Sequence, residues 1–212
     1  MPPTPPQDAG VAPAHGSARE SRSGRWIELS AALTAVVVSA GSLIIARHQS
    51  EVMDRQLAAS VWPVVEYDTS NQGDDGRPRL SLTLHNSGVG PTRVRSVRLA
   101  YRDRSVKDAG ELLHVCCAAA IDSAHRLTVT TSDITGRVLT AGRTIDFLVL
   151  PPDTAQRALF MTLDRERFAI TARVCYCSVL DDCWVIVSDG HGAAEPRPVA
   201  SCAAEQRATQ YR

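Results

Sequence analysis

Hydrophobic and polar positions change their period along this chain. Leu29 to Ala46 (LSAALTAVVVSAGSLIIA) carries no charge and lies between Arg25/Glu28 and Arg47. A run of that length is about what one helix needs to cross a bilayer core, so a transmembrane helix is predicted over residues 26–46. Trp26 at its start suits an interfacial aromatic anchor. Arg47 to Ser60 contains no Pro or Gly, and Val52, Met53 and Leu57 recur at helical spacing. The helix is therefore expected to continue as a stalk over 47–60, with Pro63 marking its end.

From Val61 the period becomes that of a strand. Val61 to Tyr67 reads as a first strand, with Pro63 placing it at an edge or strand start. Asp68 to Pro78 is polar and Gly-rich, a loop. Leu80 to Leu84 alternates strictly, as a half-buried strand does. Asn86-Ser87-Gly88-Val89-Gly90-Pro91 is a dense turn signal, with glycines available for positive φ. Val94, Val97, Leu99 and Tyr101 suit a further strand, and their slipped alternation predicts a bulge. Asp108 to Ala120 is the one helix-like interlude, with an acidic start and an Ala-rich end. Strand-like segments follow at Leu127–Thr130, Thr144–Leu150 and around Ala158–Leu163. Phe168–Cys177 and Cys183–Val187 read as a hairpin around Asp181-Asp182. Seven or eight short strands separated by polar turns predict a mainly β domain, an antiparallel β-sandwich over 61–190 followed by a C-terminal tail over 191–212. A barrel of similar strand count satisfies the same pattern.

Residues 1–25 are rich in Pro, Gly, Ala and Ser and lack hydrophobic periodicity, which predicts a disordered tail. Arg19, Arg22 and Arg25 crowd the near side of the apolar run with only Glu20 among them, whereas Arg47 and Arg55 are matched by Glu51 and Asp54. That bias favours an N-terminus in the cytoplasm and a C-terminal domain outside it, in the periplasm of a bacterial inner membrane. A cleaved signal peptide is the rival, but its apolar core is usually only about 7–15 residues and ends in small residues. This run is longer and ends Leu43-Ile44-Ile45-Ala46-Arg47, which fits an uncleaved signal anchor better. Ala31, Ala35, Ser39, Ser42 and Ala46 recur every three or four residues. They give the helix a face of small side chains along which a second copy can pack as a homodimer, or simply reflect how common Ala and Ser are in membrane helices.

Leu80 to Tyr101, LSLTLHNSGVGPTRVRSVRLAY, resembles the strand–N-x-G–strand pattern of immunoglobulin-like adhesion and bacterial envelope modules. The layout over Trp26 to Cys202 resembles uncharacterised bacterial single-pass membrane proteins. It has an N-terminal anchor, a Trp-Pro leading strand, an N-x-G-x-G-P turn and a Cys-x-Cys…Cys-Trp hairpin. The resemblance implies an immunoglobulin-like β-sandwich outside the membrane and assigns no activity.

Six cysteines, Cys116, Cys117, Cys175, Cys177, Cys183 and Cys202, all follow the apolar run. In a periplasmic domain their default use is disulfide bonding. With Ser178–Asp182 as the hairpin loop, Cys177 and Cys183 oppose each other at Cβ separations of about 4.5–5.5 Å, close to bridging distance. Cys175 then shares a face with Cys177. Adjacent Cys116 and Cys117 are expected to bond to different partners, one tying the helical interlude to the hairpin and the other pinning the tail through Cys202. A metal reading uses His114, Cys116, Cys175, Cys177 and Cys183 as soft ligands for zinc or copper(I), although the spacing matches no zinc-finger pattern. Thiol redox chemistry is the remaining use, without a C-x-x-C motif.

Lys+Arg and Asp+Glu number 23 each, so the formal net charge is zero and no basic stripe offers itself to nucleic acid. No G-x-S-x-G, P-loop, H-E-x-x-H or GxGxxG motif is present. His85, His114, His125 and His191 are isolated. Asp181, Asp182 and Asp189 read as turn residues or weak calcium ligands. Arg93, Arg95 and Arg98 read as a solvated face, or as a contact for an acidic partner or lipid headgroup. No catalytic residue and no cofactor emerges. The expected function is a non-catalytic, membrane-anchored interaction or accessory module of the cell envelope. A cysteine-based metal or redox protein and an enzyme of unrecognised class are the alternatives.

Overall fold

The computed structural model describes residues 22–121 and 127–210; the predicted tail lies outside them except for its last residues. The chain divides at Met53 into two units, each described by itself. Helix α1 spans Arg22–Ser60. Its 18-residue apolar window has a mean hydropathy of 2.1 and buries nothing, and it is long and apolar enough to span a membrane. Ser30, Thr34, Ser39 and Ser42 each donate their hydroxyl to a carbonyl one turn back, at 2.7–2.9 Å. The hydroxyl proton of each is thereby satisfied within the helix, as apolar surroundings favour. Ala31, Ala35, Ser39, Ser42 and Ala46 are all exposed.

The second unit is mainly β, with two antiparallel sheets sharing one core. Strands β1 (Val65–Gln72), β2 (Pro78–Asn86), β7 (Thr144–Leu150) and β5 (Thr130–Thr131) form one sheet in the order β1-β2-β7-β5. The other sheet runs β10-β9-β8-β3-β4, with β6 also paired to β3. Its members are β3 (Thr92–Tyr101), β4 (Arg104–Val106), β6 (Val138–Leu139), β8 (Ile170–Cys177), β9 (Cys183–Ser188) and β10 (Arg197–Val199). Leu80, Leu82 and Leu84 of β2 are fully buried and pack in one cluster with Val94 of β3 and Val174 and Tyr176 of β8. Each such leucine contributes about 1.5–3 kcal/mol by leaving water. The slip anticipated in β3 is a bulge between Val94 and Ser96, which leaves Arg95 as the extra residue.

Two helices cover this core. In α2 (Ala109–Cys117), Asp108 caps the first turn by accepting from the Glu111 N–H, and Glu111 reaches back to the Lys107 N–H. The second, α3 (Arg157–Glu166), replaces the strand expected around Ala158–Leu163. The apolar run ALFMTL is too short to decide between periods. Leu159 and Leu163, one helical turn apart, are the residues it buries.

The chain after α1 also differs from expectation. Strand β1 begins at Val65, and Val61–Val64 instead lie against the turn that joins β2 to β3. Asn86 organises this contact. Its side chain is fully buried. Nδ2 donates to the carbonyls of Gly90 (2.9 Å) and Leu139 (3.1 Å), while Oδ1 accepts from the N–H groups of Gly88 (3.1 Å) and Val64 (3.3 Å). The Trp62 carbonyl then accepts from Val89 (3.0 Å) and Gly90 (3.3 Å). Gly88 and Gly90 are needed for this close approach, not for positive φ. A Cβ on Gly88 would fall 2.3 Å from the Val64 nitrogen, and one on Gly90 2.1 Å from the Val61 carbonyl oxygen.

Replacing Asn86 with Ala strands two part-buried donors and leaves two carbonyls without their buried partner. At about 1–3 kcal/mol for an unsatisfied buried group, Asn86→Ala is expected to cost on the order of 3 kcal/mol or more in urea unfolding followed by tryptophan fluorescence. Gly90→Ala is expected to be at least as damaging. Unchanged midpoints for both would remove Asn86 from this role.

Candidate functional site

The β8–β9 hairpin carries the densest chemistry. Its register pairs Cys177 with Cys183 directly, across a loop of residues 178–182. Within that loop Ser178 Oγ accepts from the Leu180 N–H at 3.1 Å, and Asp181 adopts φ 62°, so the Asp pair serves the turn. Asp189 likewise accepts from the His191 N–H at 3.1 Å. Alternation along β8 sends Val174 and Tyr176 into the main core, while Cys175 and Cys177 enter a separate cluster with Cys183, Val185 and Cys202. The C-terminal segment covers that outer face: β10 extends the sheet, and α4 (Cys202–Gln210) is held by the Arg173–Glu205 ion pair.

Three disulfides result. Cys177–Cys183 forms as the hairpin register requires. The other two correct the expected pairing: Cys175 bonds to Cys202, and Cys116 bonds to its neighbour Cys117. The reason is the sheet between them. Cys117 is buried in the main core on α2, and Cys116 packs against that core, whereas the other four sulfurs lie in the second cluster. Where α2 ends, Cys117 leaves helical geometry (φ −136°, ψ 14°), and the adjacent Cα atoms are 3.7 Å apart.

The same separation bears on the metal reading. Cys177, Cys183 and Cys202 sulfurs lie within 4.8 Å of one another, but His114 and Cys116 sit on α2 and His114 is exposed. Cys202, absent from the expected ligand set, takes its place in the cluster. A depression of about 460 Å³ opens over these sulfurs, lined also by Arg95, Asp181 and Gln206. Arg95, projected by the bulge, meets Asp181 at 3.4 Å, an acidic contact within the chain. A second depression, about 450 Å³, lies among Tyr67, His85, Thr144 and His191. His85 Nδ1 is 2.9 Å from Thr144 Oγ1, and His191 stacks on Phe168 with centroids 4.2 Å apart. Burial holds the Tyr67 phenol well above its ordinary range. His125 lies outside the described residues.

Away from these depressions, Glu166 at the end of α3 accepts from Tyr101 Oη (2.6 Å) and Arg102 Nη2 (2.7 Å) on the same oxygen. The Tyr101 hydrogen bond, then that of Arg102, holds its carboxyl below the usual range. Comparisons with known protein families, curated proteins and solved structures find no match for this chain.

Loop closure orders the bridges by sequence separation, 27, 6 and 1 residues. Paired Ala replacement should cost about 3–4 kcal/mol at Cys175/Cys202, about 2 kcal/mol at Cys177/Cys183, and least at Cys116/Cys117; chemical denaturation of the three variants checks the order. A depressed folded-state pKa at Glu166 gives stability that is present above the unfolded value, about 4.3, and lost as pH falls through the folded one. The stability gap between the wild type and Glu166→Gln should therefore be full near neutrality and narrow below about pH 4. A gap independent of pH would show that Glu166 acts through packing alone.

Proposed function

We propose that this chain is a membrane-anchored, non-catalytic interaction module of a bacterial envelope, with its β domain in the periplasm. The apolar α1 supplies the tether, and the basic bias before it favours a cytoplasmic N-terminus. Disulfides persist in oxidising compartments, and all six cysteines of the domain are bridged. Strand order supports the immunoglobulin-like reading. The sheets β1-β2-β7-β5 and β9-β8-β3 correspond to the ABED and GFC sheets of a constant-type domain. Strands β4, β6 and β10 are additions to that plan.

The observation that carries the interaction reading is the unequal treatment of sheet edges. Among the described residues the outer strands β4, β5 and β10 have only two or three residues, the usual protection against unwanted pairing. Strand β1 is also at an edge, yet it runs for eight residues with β2 on one side only. An extended segment of a partner can add to it through main-chain hydrogen bonds. The tether raises the domain's effective concentration for partners held in the same membrane.

A photoreactive residue in place of Asp68 or Asn71, both exposed on β1, should crosslink in intact membranes to the same protein. Thr131 on β5 should not. Equal capture from both edges, or none from β1, would defeat the assignment.

A further inference from the structure

The two bridges on the outer face of the hairpin sheet touch. Cys177 Sγ, in the bridge to Cys183, lies 3.8 Å from Cys202 Sγ, in the bridge to Cys175. The open depression reaches Cys177, Cys183 and Cys202 but not Cys175. Of the four, Cys183 is the most accessible, 8% exposed against 2–5% for the others. Cys175 lines a narrower crevice with Arg98, Arg173 and Glu205. Two disulfides in this arrangement are more than two staples, because a thiolate released from one lies within reach of the other.

We infer that the pair is a thiol-exchange site, which takes up a low-molecular-weight thiol at Cys183 and moves the remaining bridge to Cys177–Cys202. The incoming thiolate forms a bond to Cys183 Sγ, and the Cys177–Cys183 bond breaks with its electron pair on Cys177. The Cys177 thiolate is generated beside the Arg95 guanidinium, which favours the anion although Asp181 shares that charge. It attacks Cys202 Sγ at 3.8 Å. A Cys177–Cys202 bond forms, and the Cys175–Cys202 bond breaks with its pair on Cys175. The departing Cys175 thiolate sits among Arg98 and the Arg173–Glu205 ion pair and takes the proton released by the incoming thiol. Two disulfides and one thiol become a mixed disulfide, one disulfide and one thiol, with no net oxidation. The bridge swap frees β8 at Cys175 while keeping α4 attached through Cys202. This site is independent of the β1 edge, so either assignment can fail alone.

The test uses the full chain in detergent micelles, exposed to reduced glutathione, quenched with an alkylating reagent and mapped by mass spectrometry without reduction. The expected first product carries glutathione on Cys183, a Cys177–Cys202 link and the alkyl label on Cys175. Glutathione on Cys183 with Cys175–Cys202 intact and the label on Cys177 would overturn the relay. So would an adduct confined to Cys116 or Cys117, or none before global unfolding. In Cys175→Ser, untreated protein should divide its free thiol between Cys202 and Cys183, because Cys177 can bond to either. A thiol found on Cys202 alone would count against the inference.

Discussion

A buried amide with every hydrogen-bonding position occupied sets the geometry of this domain. Asn86 holds three stretches of backbone that are remote in sequence: Val64 before β1, Gly88 and Gly90 in the β2–β3 turn, and Leu139 in β6. Its own backbone closes the circuit, donating to the Arg143 carbonyl and accepting from the Gly142 N–H. Because a lost bond inside a protein is not replaced by water, these segments are fixed relative to one another. Both turn glycines follow from that closeness. So does the irregular path of Val61–Val64, whose Trp62 and Val64 carbonyls accept from the turn.

From that frame the two sheets acquire different tasks. One sheet keeps β1 at its edge, long and paired on one side. The other turns its hairpin cysteines outward and covers them with β10 and α4, so the last turns of the chain bury sulfur rather than leave it in solvent. Val185 and Val199 are the main apolar side chains packed there. A cluster built mostly of cystine beneath a surface depression is small as a core. The long β1 edge and the sulfur cluster belong to different sheets.

The electrostatics are local. Glu166 gathers Tyr101 and Arg102 where α3 ends against the β3–β4 turn. That turn places two non-glycine residues, Arg102 and Asp103, at positive φ. The Asn or Gly that usually marks such a turn is absent, which is why β4 went unseen in the residue pattern. Arg95 owes its place over the disulfides to a bulge. Alternation betrayed the bulge, but the Asp181 contact needed the folded hairpin.

By itself the sequence determined what depends on neighbours in the chain. An uncharged run makes a helix fit to span a membrane, because its length and composition are local. Alternation at Leu80–Leu84 and the β-branched, apolar run at Thr144–Leu150 made strands, and a loop of residues 178–182 set Cys177 against Cys183, since hairpin register follows from the turn. Tertiary structure decided the rest. Whether ALFMTL is strand or helix depends on the surface that Leu159 and Leu163 cover. Whether Cys202 meets Cys117 or Cys175 depends on which side of a sheet each sulfur occupies. Gly88 and Gly90 read as turn residues until the backbone of Val61–Val64 is seen lying against them. Each of these outcomes is an approach between segments far apart in sequence, and a local pattern carries no record of such distances.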